Sequence, residues 1–227
     1  MSVVSFGGDL PMTNLDLALA TLVALGLPFA SAWLWQLTGG ALASLVLYYL
    51  VCCVLLVRWR KGTLDYRRPV RWPWLILALG LLADATIAAV NWGNFAPSSA
   101  APLGVALTAL IWAPINAAIE QLSWLYVLDA WRNRWATGWQ RWFGLAIGIV
   151  LIVTLVSLIH ILFWTLFLPN SDLGGFAWVT ITLNTLNTLF YALLYYRSRS
   201  MWPVFVVHLF ADLQLVLLAG YSIIPSL

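Results

Sequence analysis

Residues 142–168 read WFGLAIGIVLIVTLVSLIHILFWTLFL and contain no Asp, Glu, Lys or Arg. A helix that crosses the hydrocarbon core of a bilayer needs about 20 predominantly apolar residues, so this stretch is long enough to span a membrane. The whole chain has the same character, because 63% of its 227 residues are hydrophobic and only 8% are charged. Soluble domains are roughly one quarter charged, and disordered chains contain few apolar residues. The composition therefore excludes both classes and predicts an integral membrane protein.

Apolar stretches of comparable length recur along the chain, separated by short polar connections. We predict an all-α, polytopic membrane helix bundle whose seven transmembrane helices lie at residues 15–37, 41–57, 73–90, 103–128, 142–168, 176–196 and 201–219. The longest connection, residues 58–72, is far shorter than a folded domain. The sequence thus predicts one transmembrane domain over residues 1–227, with the lipid bilayer as a partner.

The basic residues predict how the chain is oriented. All eleven lie in the second, fourth and sixth connections. Lys and Arg near span ends stay on the cytoplasmic side, and with seven spans these three connections share one side, so the N-terminus is predicted to be cytoplasmic. The only lysine, Lys61, is placed in a cytoplasmic loop, which excludes an opsin-like Schiff-base protein. Because topology explains the basic charge, we expect no nucleic-acid partner.

Five ionisable side chains fall inside the predicted spans, where a charge is costly. They are Asp84, Glu120, His160, His208 and Asp212. His208 and Asp212 are four residues apart, which places them on one helical face about 6 Å from each other. Counted along the helices, the last four of these groups fall at similar depths, so a single water-filled cavity could serve them. For Asp84, the sequence leaves a packing role and a functional role equally open.

Amide side chains accompany these groups. Asn116 precedes Glu120 by one helical turn, and Asn184 and Asn187 share a stripe on the sixth predicted helix. We interpret all three amides as supporting residues of a site. For the stripe, hydrogen bonding between helices is the simpler explanation.

Three short blocks resemble a known family, the CPBP intramembrane proteases, which include the type II CAAX prenyl endopeptidases and the bacterial Abi-type proteins. The family has a Glu-Glu-x-x-x-Arg block, a Phe-x-x-x-His block and a His-x-x-x-Asn or His-x-x-x-Asp block on separate helices. The corresponding stretches here are EQLSWL at 120–125, VSLIH at 156–160 and HLFAD at 208–212, the last preceded by SMWP at 200–203. A family-like core would cover residues 103–219.

The resemblance implies an intramembrane endopeptidase of the bacterial cytoplasmic membrane, acting on a membrane-embedded or lipidated peptide. Glu120 would be the general base that activates a water molecule, and His160 would help to position that water. His208 and Asp212 would stabilise the oxyanion. We expect no cofactor, with one alternative: a zinc ion held by the oxygen and nitrogen atoms of these same four side chains.

The first block departs from the family pattern. Gln121 and Leu125 replace its second Glu and its Arg, and Val156 replaces the Phe of the second block. Replacing an acid and a base together strands no buried charge, so the fold tolerates the change, and Gln121 is kept as a supporting residue. The departure also motivates a second hypothesis, a catalytically inactive relative that serves as a scaffold, immunity or accessory subunit of a membrane protein complex.

Overall fold

The computed structural model describes residues 12–92, 100–135, 137–162, 165–166 and 177–224. Regular structure in these residues is entirely helical, which confirms the all-α prediction. The long helices are α1 (Asn14–Thr38), α2 (Leu42–Lys61), α3 (Trp74–Asn91), α4 (Pro102–Arg132), α5 (Trp139–Leu162), α6 (Ala177–Ser198) and α7 (Trp202–Ala219). Each falls on one predicted span, and the predicted residues 163–164, 167–168 and 176 lie outside the described part of the chain.

Four of these helices, α1, α2, α4 and α5, are long and apolar enough to cross a membrane. Shorter apolar helices lie at Trp74–Val90 in α3 and Trp202–Leu218 in α7. Helices of this length and composition are typical of an integral membrane protein. Seven crossings with a cytoplasmic N-terminus stay a prediction.

Helix α2 continues past the predicted end of its span to Lys61. It is capped by Gly62, whose φ of 73° lies in the left-handed region that glycine adopts without strain, and whose N–H donates to the carbonyl of Arg58 (3.0 Å). The prediction that 58–72 forms a connection is therefore wrong for 58–61. The error arises because hydropathy falls at the first basic residue, whereas the backbone bonds of the helix continue to the glycine.

Two helices contain wider turns with i→i+5 hydrogen bonding, at Val46–Leu55 in α2 and Thr108–Trp112 in α4. Such π-helical turns are rare, and they change which residues share a helical face. In α2 the wide turns bury Tyr48, Cys52 and Cys53. A simple 3.6-residue period therefore does not predict the buried face of this helix.

The described residues form two compact units. The first contains the described residues through Tyr66 together with Glu120–Val156, and the second contains Arg67–Ile119 and the described residues from Ser157 onward. One boundary falls between α2 and α3, one inside α4 and one inside α5. In the first unit α1 packs against α2, and in the second α3 packs against both α6 and α7.

The core of the second unit includes a cluster around Trp112, Ala113 and Val216. The Trp112 ring meets the ring of Tyr221 edge to face, with centroids 5.3 Å apart. This packing joins α4 to α7 and so fixes the position of the polar residues that lie on those two helices.

Candidate functional site

A buried polar cluster lies within the second unit. It draws on α3, α4, α6 and α7 and consists of Asp84, Asn116, Asn187, Tyr191, His208 and Asp212. Polar groups buried among apolar helices need partners, so the contacts within this cluster indicate what it does.

His208 and Asp212 are adjacent, as their spacing predicts. His208 Nε2 lies 3.6 Å from Asp212 Oδ1, and Asn116 Nδ2 donates to Asp212 Oδ2 at 3.0 Å. The ring of Tyr191 packs on the imidazole of His208, with centroids 5.2 Å apart. Both side chains of the predicted pair are therefore held in place by groups from other helices.

Asp84, whose role the sequence leaves open, belongs to this cluster. Asn187 Nδ2 donates to Asp84 Oδ1 and also lies 3.4 Å from Tyr191 Oη. Because Tyr191 packs on His208, Asn187 and Tyr191 link Asp84 to the His208–Asp212 pair. Asp84 Oδ2 and Asn187 Oδ1 are buried, and neither has a hydrogen-bond partner among the described residues.

Two other predicted residues, Asn184 and His160, also lie in the second unit. Asn184 is half-buried on α6, and its carbonyl accepts a hydrogen bond from Thr188 (3.2 Å). Within the described residues, no hydrogen bond joins the Asn184 side chain to the polar cluster. His160 lies half-buried in the last turn of α5, one turn after Ser157, whose hydroxyl is 3.1 Å from that of Thr185.

Glu120 belongs to the first unit, where its carboxylate is oriented by a tyrosine from α2. Tyr48 Oη donates to Glu120 Oε1 (3.0 Å) and accepts a hydrogen bond from Trp124 Nε1 (2.7 Å). The Cys53 thiol donates to the Ser123 hydroxyl (3.4 Å) and lies 3.6 Å from the Glu120 carbonyl. The wide turns of α2 thus place a phenol and a thiol against the turn of α4 that carries Glu120.

The two departures from the family's first block are packed into the same unit. Gln121 is fully buried, and its Nε2 donates to Tyr66 Oη at 3.4 Å. Burial raises the pKa of the Tyr66 phenol, so Tyr66 stays neutral near pH 7. Leu125 is 2% exposed and part of the core. Both positions are therefore occupied by neutral residues that the surrounding side chains accommodate.

The first unit also contains two sets of ion pairs. Arg60 Nε donates to Asp16 Oδ1 at 2.9 Å, and the Tyr126 hydroxyl donates to the same oxygen at 3.0 Å. The second set has Lys61 at its centre, with Nζ 3.0 Å from Asp65 Oδ2 and 2.9 Å from Asp129 Oδ2.

Lys61 is not the loop residue that the sequence predicts. It is the last residue of α2 and is 4% exposed. A basic residue near a span end is usually a topology signal, but this one is also the cation of a buried ion pair.

Two residues of these arrangements were missed at the level of sequence, Tyr48 and Cys53. Both lie in an uninterrupted apolar run, LVLYYLVCCVLL, where a phenol or thiol does not stand out by hydropathy. Their hydrogen-bonding capacity inside such a run is a usable signal, because buried phenols generally find a partner.

Within the described residues, no three or more His, Cys, Asp or Glu side chains are grouped so as to hold a metal ion. No protein-family model, curated protein or solved structure matches the chain. Membership of the CPBP family therefore stays a prediction from the three sequence blocks.

Proposed function

We propose that this protein is an intramembrane endopeptidase in which Glu120 activates a water molecule for attack on a peptide carbonyl. One observation carries the proposal, namely that the buried acids among the described residues fall into two classes. In the first class, Asp16, Asp65 and Asp129 contact the side chains of Arg or Lys. In the second class, Glu120, Asp84 and Asp212 are contacted by phenol, amide and imidazole groups.

Acids of the first class are paired with permanent cations and serve the fold. Acids of the second class have neutral or titratable partners, which orient the carboxylate through hydrogen bonds and leave it able to accept a proton. A catalytic carboxylate needs both properties. Glu120 fits the role of general base because the Tyr48 hydroxyl fixes the direction of its carboxylate.

The second unit contains groups suited to the developing negative charge. An imidazole N–H is a good donor to an oxyanion, and a donor that is already in place costs no reorganisation when the charge appears. Tyr191 and Asp212 hold the imidazole of His208, and Asn116 holds Asp212. The contacts described above support Glu120 within the first unit and His208 within the second. The reaction scheme that uses both residues comes from the CPBP resemblance alone.

The substrate class follows from the same argument. Glu120 lies on a helix long and apolar enough to cross a membrane, and His208 and Asp212 lie on a shorter apolar helix, so the peptide would be membrane-embedded or carry a lipid. We place the protein in the bacterial cytoplasmic membrane, with seven crossings and the N-terminus in the cytoplasm, in keeping with the distribution of its basic residues.

The test uses the full-length protein in lipid nanodiscs. The probes are a farnesylated CAAX peptide and a transmembrane peptide, each with a fluorophore and a quencher on opposite sides of the cleavable segment. We expect Glu120→Gln to reduce cleavage by roughly 10²–10⁴-fold, the contribution of a general base. Asn184→Ala is the control, because this amide lies outside the polar cluster and should leave cleavage unchanged. Cleavage that persists in Glu120→Gln would refute the proposal.

A second function is favoured by the burial of Gln121 and Leu125. These residues occupy the positions of the family's acid and base and are fully packed, as expected of a chain that has lost catalysis and kept the fold. We propose as the alternative an accessory subunit of a membrane protein complex. A partner that co-purifies equally with the wild type and Glu120→Gln, together with no cleavage of either probe, would favour this function over the protease.

A further inference from the structure

Two neighbouring side chains of the polar cluster present acceptor atoms that the described residues do not satisfy. Asn187 Nδ2 donates to Asp84 Oδ1, whereas Asp84 Oδ2 and Asn187 Oδ1 have no hydrogen-bond partner there. Asp84 is 2% exposed and Asn187 is 5% exposed. Buried acceptors without donors are rare in folded proteins, because each loses its hydrogen bonds to water and gains nothing in return.

The charges around Asp84 point to what is missing. Helix α3 packs against α6 and α7, and the titratable side chains that these two helices contribute to the polar cluster are Tyr191, His208 and Asp212. If both carboxyl groups are ionised, the cluster keeps one net negative charge even when the imidazole is protonated. An uncompensated charge among apolar helices is strongly disfavoured, so neutrality requires two protons on three groups.

The contacts assign these two protons to different places. One proton is placed on His208, because its Nε2 lies 3.6 Å from Asp212 Oδ1, where a protonated imidazole is attracted to the carboxylate. Asn116 donates to the other oxygen of Asp212, so Asp212 has a contact at each carboxylate oxygen, whereas Asp84 has a donor at Oδ1 alone. The second proton is therefore assigned to Asp84. Its Oδ2 and the neighbouring Asn187 Oδ1 are both acceptors without a donor among the described residues.

We propose that Asp84 is a proton-binding site, which carries the second proton of the cluster on Oδ2 as a neutral carboxylic acid. The proton converts one of the two unsatisfied acceptors into a donor and removes the net charge of the cluster. Asn187 acts as the recognition group of this site, because its amide donates to the oxygen of Asp84 that carries no proton. The proposal does not depend on the protein being a hydrolase.

The first measurement is infrared spectroscopy of the full-length protein in nanodiscs, in H₂O and in D₂O. A protonated carboxyl group absorbs in the carboxylic-acid carbonyl region and shifts on deuteration. We expect such a band in the wild type near pH 7 and its loss in Asp84→Asn. This variant is isosteric with the neutral acid, so it should fold with an unchanged Tm.

The second measurement needs no variant. Dicyclohexylcarbodiimide reacts with protonated carboxyl groups in apolar surroundings, where the acid adds across a C=N bond of the reagent and its proton moves to nitrogen. We expect mass spectrometry to locate the label on Asp84, with labelling that falls at least tenfold as the pH is raised. Asp16 is the internal control, because Arg60 keeps it ionised and it should stay unlabelled.

The two experiments separate the proposal from its competitors. An ionised Asp84 beside a bridging water or a cation would give neither the acid band nor the label, and that result would overturn the proposal. A band that disappears when sodium chloride is added to a sodium-free sample would also overturn it, because the two oxygens would then belong to a cation site.

Discussion

Replacing Lys61 by methionine isolates the contribution of one buried cation. The Lys61 ammonium lies 3.0 Å from Asp65 Oδ2 and 2.9 Å from Asp129 Oδ2. Methionine has a similar length and no charge, so Lys61→Met fills the same space and leaves two buried carboxylates without their cation. Removing one partner of a buried ion pair costs about 3–5 kcal/mol. In a chain of 227 residues, at roughly 2–4 °C per kcal/mol, this lowers the Tm by roughly 6–20 °C.

The chain contains its own reporter for this assay. Cys52 and Cys53 are free and buried, so a thiol-specific fluorogenic dye reacts with them only as the protein unfolds. Thermal ramps of the purified protein in detergent would give the Tm of each variant. The control is Arg68→Met, which removes a positive charge from an exposed position in the same segment of the sequence and should change stability by less than about 0.5 kcal/mol.

A triple variant completes the design. Lys61→Met combined with Asp65→Asn and Asp129→Asn strands no charge, so it should recover most of the lost Tm. If Lys61→Met has the same Tm as Arg68→Met and the wild type, Lys61 does not stabilise the fold and serves only as a topology signal.

Two further substitutions test packing in the first unit with the same dye. Tyr48→Phe removes the acceptor of the Trp124 Nε1–H and should cost about 1–3 kcal/mol, the penalty of a buried unsatisfied donor; an unchanged Tm would contradict this. Gly144→Ala should also destabilise, by about 1–3 kcal/mol, because the new Cβ would lie 2.4 Å from the backbone oxygen of Trp131. Gly80→Ala is the comparison, since its Cβ would meet only a side chain, at 3.3 Å. A larger decrease in Tm for Gly80→Ala than for Gly144→Ala would contradict this prediction.

The helices of this protein are predictable from sequence because apolar runs of sufficient length have few other stable arrangements in a membrane. Their ends are less predictable. Helix α2 continues through Arg58 to Lys61, although the charge of these residues lowers the local hydropathy. Long basic side chains extend away from the helix axis, so the backbone can stay helical where the composition has already changed.

Contacts within one helical turn are also predictable, and contacts between helices are not. His208 and Asp212 meet because four residues complete about one turn. Tyr48 and Glu120 are separated by 72 positions in the sequence, and Asp84 and Asn187 by 103. Pairings of this kind depend on the rotation of each helix about its axis, which hydropathy does not specify when most faces of the helix are apolar.

The wide turns at Val46–Leu55 bear on how this sequence can change in length. A turn closed by an i→i+5 bond holds one residue more than an α-helical turn, so gaining or losing a residue there alters the width of a turn. The helix on either side would then keep its rotational setting, together with the bond from Ser44 to the Ser31 carbonyl (2.7 Å) and the ion pairs of Lys61. The number of residues in α2 could therefore change within this segment without rotating the two ends of the helix relative to each other.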